Sequence, residues 1–92
     1  MIKRFVKMTF KSECVEEFKV IFNSSKKYIA AMEGCSHVEL LQDITNQTIF
    51  FTYSIWENSS YLEAYRKSEL FINVWSKTKV LFADKPEAWS VK

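Results

Sequence analysis

The chain has 92 residues, 48% hydrophobic and 16% aromatic, and a formal charge of +2 from 13 basic and 11 acidic side chains. That is the size of one domain, residues 1–92, and it is too apolar for disorder and too nearly neutral to favour nucleic acid. One glycine (Gly34), one histidine (His37) and two cysteines (Cys14, Cys35) exclude a glycine-rich nucleotide loop, a two-histidine metal site and a four-cysteine cluster within one subunit.

Taken in chain order, residues 2–10 (IKRFVKMTF) alternate Arg4, Val6, Met8 and Phe10 with Lys3, Phe5, Lys7 and Thr9, which predicts a strand with two mixed faces. The N-terminus lacks the apolar stretch of a signal peptide, and no run approaches the roughly 20 apolar residues of a membrane span. The expectation is a cytoplasmic globular protein with no membrane or nucleic-acid partner, its two cysteines small reduced thiols. Ser12 opens a helix predicted over 13–32, with Glu13 and Glu16 in the first turn and Val15, Phe18, Phe22, Ile29 and Met32 along one face. Gly34 stands where a left-handed cap ends it.

Residues 36–43 and 48–56 flank the turn DITNQ and predict a hairpin. Asn58, Ser59 or Ser60 caps a helix carrying Tyr61, Leu62 and Tyr65. After an interruption at Ser68, a second helix is predicted over 69–83 with Phe71, Val74, Trp75, Thr78, Leu81 and Phe82; Pro86 ends it. Residues 87–92 read as a last strand.

This order, β-α-β-β-α-α-β, predicts an α+β fold of the ferredoxin-like split βαβ type, an antiparallel sheet with helices on one face. In residues 48–56, Phe51, Tyr53 and Ile55 alternate with Phe50, Thr52, Ser54 and Trp56, so neither face suits solvent. A second copy covering the open face, a homodimer, is the simplest solution.

The strand MIKRFVKMTF, the segments EGCSHVELLQD and FFTYSIWENSSYLEAYRKSELF, and the ending KPEAWSV resemble the antibiotic biosynthesis monooxygenase family across essentially the whole chain. The resemblance implies a dimeric α+β barrel with a pocket between each sheet and its own helices. It implies oxidation of a small quinol- or anthrone-like aromatic by molecular oxygen, with no metal, flavin or other cofactor. It assigns to the pocket wall Val6, Met8, Phe18, Phe22, Thr52, Phe71 and Trp75, with Trp56 and Tyr65 as catalytic candidates.

Trp56 matches the family tryptophan at the end of the third strand; its indole N–H donates to a substrate carbonyl, or the ring simply packs under the helices. Thr52 stands where polyketide-oxidising members place an asparagine. The haem-degrading branch needs an asparagine, a tryptophan and a histidine where this chain has Val6, Tyr65 and Trp75, so no axial imidazole is expected. His37 is the general base to test by its intrinsic pKa, or a structural histidine facing the barrel interior with Glu39.

Lys3, Arg4, Lys7 and Lys11 form either a positive barrel lining or a solvated edge. Lys79, one turn beyond Trp75, attracts an anionic substrate or serves solubility. The readings left open are a cofactor-independent oxygenase, a non-catalytic small-molecule binding module, and a purely structural domain.

Overall fold

The computed structural model describes all residues, Met1–Lys92, and sets out β1 (Ile2–Thr9), α1 (Val15–Ala30), β2 (Cys35–Gln42), β3 (Ile49–Trp56), α2 (Ser59–Arg66), α3 (Glu69–Lys79) and β4 (Glu87–Val91). The strands form one antiparallel sheet in the order β2-β3-β1-β4. The register places Val6 opposite Thr52 and Ala88, and Met8 opposite Phe50. Because side chains alternate across a strand, Arg4, Val6, Met8, Thr52, Ser54 and Trp56 share the face that carries the helices.

The core lies between that face and α1. Phe18, Phe22 and Ile29 fall at helical spacing and bury against Met8, Phe10, Val38, Phe50 and Leu81. Phe10 is its centre: its ring stacks on Phe18 at 4.1 Å and meets Phe82 at 5.3 Å and Phe50 at 5.8 Å. Each such ring removed from water contributes roughly 1.5–3 kcal/mol.

Several boundaries differ from the sequence expectation. The first helix begins with a 3-10 turn, Ser12–Cys14, because no side chain caps Cys14 and its N–H bonds to the Lys11 carbonyl at 2.9 Å. It ends at Ala30, and Gly34, at φ +83, pivots the following turn into β2 rather than capping the helix itself. α3 stops at Lys79 because the next residues are recruited to β1. Leu81 accepts from Lys11 N–H at 3.0 Å, Ala83 N–H donates to Thr9 at 2.8 Å, and Phe82 bridges Phe10. Pro86 leads into β4 instead of ending a helix.

Of the three capping candidates Asn58 takes the role, its side chain accepting from the Ser60 and Tyr61 N–H groups. Ser68 does double duty. Its hydroxyl donates to the Tyr65 carbonyl at 2.6 Å and accepts from Phe71 N–H at 3.1 Å, so one residue ends α2 and starts α3.

The other sheet face carries no helix. Phe5 stacks on Tyr53 at 4.8 Å, His37 meets Tyr53 edge-on at 5.6 Å, and Trp89 next to them is 46% exposed. Two ion pairs, His37–Glu39 at 3.1 Å and Lys7–Glu87 at 3.8 Å, edge this aromatic surface. Arg4, which the sequence grouped with Lys3 and Lys7, points the other way, toward the helices. No helix is long and apolar enough to cross a membrane.

Candidate functional site

Between the helix-bearing sheet face and the three helices lies a cavity of about 310 Å³. Strand alternation sends Val6, Met8 and Thr52 into it, α1 contributes Phe18 and Phe22, and α2 and α3 contribute Tyr65, Phe71 and Trp75. The Ser68 junction holds the last three together: Tyr65 meets Phe71 edge-on at 5.3 Å, and Phe71 stacks on Trp75 at 5.8 Å. The volume stands at the lower end of the roughly 300–1,000 Å³ usual for ligand sites, enough for a small aromatic.

Three sequence candidates are not in the wall. Trp56 lies on the correct face but is wholly buried, 0% exposed. Its indole N–H donates to Ser54 Oγ at 2.9 Å, and its ring stacks on Tyr65 at 4.9 Å and 23°. Trp56 therefore acts behind the wall, as a brace for Tyr65 and Ser54. His37 lies on the opposite sheet face with Glu39, as its structural reading requires, and out of reach of the cavity. Lys79 is exposed at the end of α3, past Thr78, which is the last residue of that helix to line the cavity.

Sequence reasoning passed over five polar wall residues as site candidates, Arg4, Ser54, Arg66, Thr78 and Glu87. For Ser54 a signal existed, since residues two apart on a strand share a face and Ser54-x-Trp56 sets the hydroxyl beside the indole. With its oxygen accepting from Trp56, the Ser54 hydroxyl proton is free to face the cavity, polarised by the bond it accepts. The Thr52 and Tyr65 hydroxyls line the same space, and no fully buried polar side-chain atom in the chain lacks a partner.

Arg4 Nη1 donates to Ser90 Oγ at 2.9 Å, across the β1–β4 register. Arg66 pairs with Glu63 at 3.2 Å. Burial, and then the like charge of Arg66, pull the Arg4 guanidinium below its ordinary pKa, with Glu63 opposing.

An irregularity in β2 between Cys35 and His37 breaks the alternation there. Cys35 lies close enough to Tyr65 to affect its ionisation, and Cys35 Sγ bonds the His37 carbonyl at 3.5 Å. Burial raises the Cys35 thiol, which argues against a thiolate nucleophile. No three His, Cys, Asp or Glu side chains come together as a metal cluster would require.

Burial, with a smaller contribution from Cys35, pushes the Tyr65 phenol from 10.0 up to about 12. Tyr65 is therefore a hydrogen-bond donor, not a base, throughout the neutral range. The unfolded phenol ionises first, so the stabilisation is complete below pH 10 and is lost as pH rises through about 12. Two units correspond to about 3 kcal/mol. In urea titrations between pH 9 and pH 12, Tyr65→Phe is expected to lose less stability than the parent chain; equal slopes would refute a buried Tyr65 phenol.

The sequence matches the antibiotic biosynthesis monooxygenase family over residues 1–74. Among solved structures it is similar to a conserved protein from Methanosarcina mazei Go1, at TM-score 0.94 and 21% identity over 99% of this chain and 90% of that one. An antibiotic biosynthesis monooxygenase matches at TM-score 0.94 and 13% identity over 100% of this chain and 97% of that one. A variant of SnoaB, a cofactor-independent oxygenase from Streptomyces nogalater, matches at TM-score 0.87 and 13% identity over 99% and 90%. At these identities the structural likeness establishes the ferredoxin-like α+β fold. No curated protein is significantly similar to the sequence.

Proposed function

The chain belongs to the antibiotic biosynthesis monooxygenase family, and on that premise we propose that it is a cofactor-independent monooxygenase acting on a small quinol- or anthrone-like aromatic. The observation that carries this reading is the cavity itself: aromatic walls from Tyr65, Phe71 and Trp75, with the hydroxyl-bearing residues Thr52, Ser54 and Tyr65 among its lining. A purely structural role leaves such a cavity without a purpose.

An anthrone-like substrate that loses a proton becomes an electron-rich anion. It gives one electron to molecular oxygen, the two radicals combine, and the resulting hydroperoxide loses water to leave a carbonyl. One oxygen atom ends in product and one in water, so no external reductant is required. The protein's share is to exclude water, orient the ring, and donate hydrogen bonds to the developing oxyanion. Tyr65, held protonated, and Ser54, polarised by Trp56, are the donors proposed. Trp56 positions both, and His37 takes no part at the cavity.

The proposal includes a homodimer closed through the bare sheet face, where Phe5, Tyr53 and Trp89 would leave water. It also includes a cytoplasmic setting, in keeping with two unpaired cysteines.

The test is oxygen uptake by the purified protein against dihydroquinones and anthrones, with the chain mass checked by sedimentation. Saturable uptake above autoxidation is expected from a species of twice 10.9 kDa, reduced roughly 100-fold in Tyr65→Phe. A monomer would refute the dimer, and absence of uptake across the panel would refute the oxygenase. The second reading, a non-catalytic small-molecule binding module, is favoured by one observation. Glu87, the only acidic residue that lines the cavity, directs its carboxylate to Lys7 on the other sheet face, and no imidazole faces the cavity.

A further inference from the structure

Arg4 is the one charged wall residue without a charged partner. The chain forms four ion pairs, Lys7–Glu87, Lys19–Glu16, His37–Glu39 and Arg66–Glu63, and Arg4 is in none of them. Its one hydrogen bond within the protein goes to a neutral hydroxyl, Ser90 Oγ. The carboxylate of Glu87 is turned to Lys7 on the other sheet face, and Arg66 is offset by Glu63. The cavity therefore carries one net positive charge, on the residue that the register sets between Ser54 and Ser90.

Arg4 is only partly buried, so water satisfies its free N–H groups in the empty cavity, and an anion that displaces that water gains a charge-assisted contact. Partial burial and the like charge of Arg66 lower the Arg4 pKa, and Glu63 opposes them. Guanidinium offers five N–H donors in a planar fork, and Ser90 occupies one nitrogen. The remaining edge matches a carboxylate in two-point contact.

We propose that Arg4 anchors a carboxylate on the aromatic ligand of this cavity, so that the preferred substrate is a quinol- or anthrone-like aromatic that also bears a carboxylate. The inference rests on the oxygenase reading for the word substrate, but not for the binding it describes. Tyr65, Phe71 and Trp75 receive the ring, the Arg4 end receives the carboxylate, and the Ser54 and Thr52 hydroxyls lie between. Arg66, neutralised by Glu63, assists through its field.

The test uses 2-naphthoate and its neutral isostere 2-naphthamide, titrated into the purified protein by calorimetry. The parent chain is expected to bind the carboxylate about tenfold more tightly than the amide. In Arg4→Met that preference disappears while amide binding stays within about twofold, since only the charge-assisted contact is removed. Arg66→Met reduces the preference less. Equal affinities in the parent, a preference that survives Arg4→Met, or failure of both ligands to bind would each overturn the assignment. If Arg4→Met also loses the amide, Arg4→Gln, which keeps a donor for Ser90, carries the same comparison.

Neither probe needs to turn over. A carboxylate preference without oxygen uptake leaves a binding module of this specificity. Uptake from neutral quinols without a carboxylate preference leaves the oxygenase and removes the anchor.

Discussion

Trp56→Ala is expected to destabilise the protein by about 4 kcal/mol, the range for removing a buried aromatic ring from a well-packed site. The side chain has no exposed surface, sits at the end of β3, and stacks on Tyr65. In a chain this size that loss lowers the melting temperature by roughly 20 °C, measurable by thermal unfolding followed in the far ultraviolet. A loss below about 2 kcal/mol would mean that the neighbouring residues collapse into the space and that Trp56 is no brace.

Trp56→Phe isolates the other half of the role. The ring and its stack remain, while Ser54 loses the N–H it accepts at 2.9 Å. Because Ser54 also borders the cavity, water is able to replace that donor, and the expected cost is about 1 kcal/mol. Oxygen uptake should fall less in Trp56→Phe than in Tyr65→Phe. If Trp56 instead touched the substrate directly, the order would be reversed.

Gly34→Ala is expected to cost about 3 kcal/mol, from two separable sources. The backbone at φ +83 is a conformation that a Cβ disfavours by roughly 1–2 kcal/mol. The new Cβ would also fall within the ring and Cβ carbons of Tyr61, the third residue of α2. The backbone there has little room to retreat, since the Gly34 carbonyl accepts from Glu57 N–H at 2.8 Å just before the Asn58 cap. In a Tyr61→Gly background only the backbone part should remain, a coupling of about 2 kcal/mol. Additive losses in urea unfolding would show that Tyr61 does not meet this position.

Gly34 also shows how a local signal can be read correctly in kind and misplaced in role. A lone glycine after an amphipathic run announces a positive φ, and it has one. That it forms the contact between the α1–β2 turn and α2 follows from how the hairpin carries α2 back over that turn, which no local pattern states.

The same division runs through the candidate site. Parity along a strand and spacing along a helix are local properties, so the sequence by itself determined which side chains share a face. The family resemblance assigned Val6, Met8, Thr52, Phe18, Phe22, Tyr65, Phe71 and Trp75 to the pocket, and that shared facing is the physical reason they line the cavity together. His37 was likewise legible as a residue of the opposite face. Lys79 followed the helical period equally well, but the period does not say where a cavity ends, and this one ends at Thr78.

Long-range hydrogen-bond and charge partners were decided by tertiary structure alone. Arg4 finds Ser90, 86 residues away, because β1 pairs with β4 in one particular register. Arg66 comes near it because α2 packs across the sheet, and Glu63 then neutralises one guanidinium and leaves the other. In the sequence Arg4 was one more basic residue in an alternating run. Pairing energies depend on distances between groups that chain connectivity does not fix, whereas burial of a face depends only on its periodicity. The apolar faces and the local pairs, Ser54 with Trp56 and Glu63 with Arg66, were therefore determined by sequence pattern, and the pairing of Arg4 with Ser90 and its approach to Arg66 only by the way the elements close on one another.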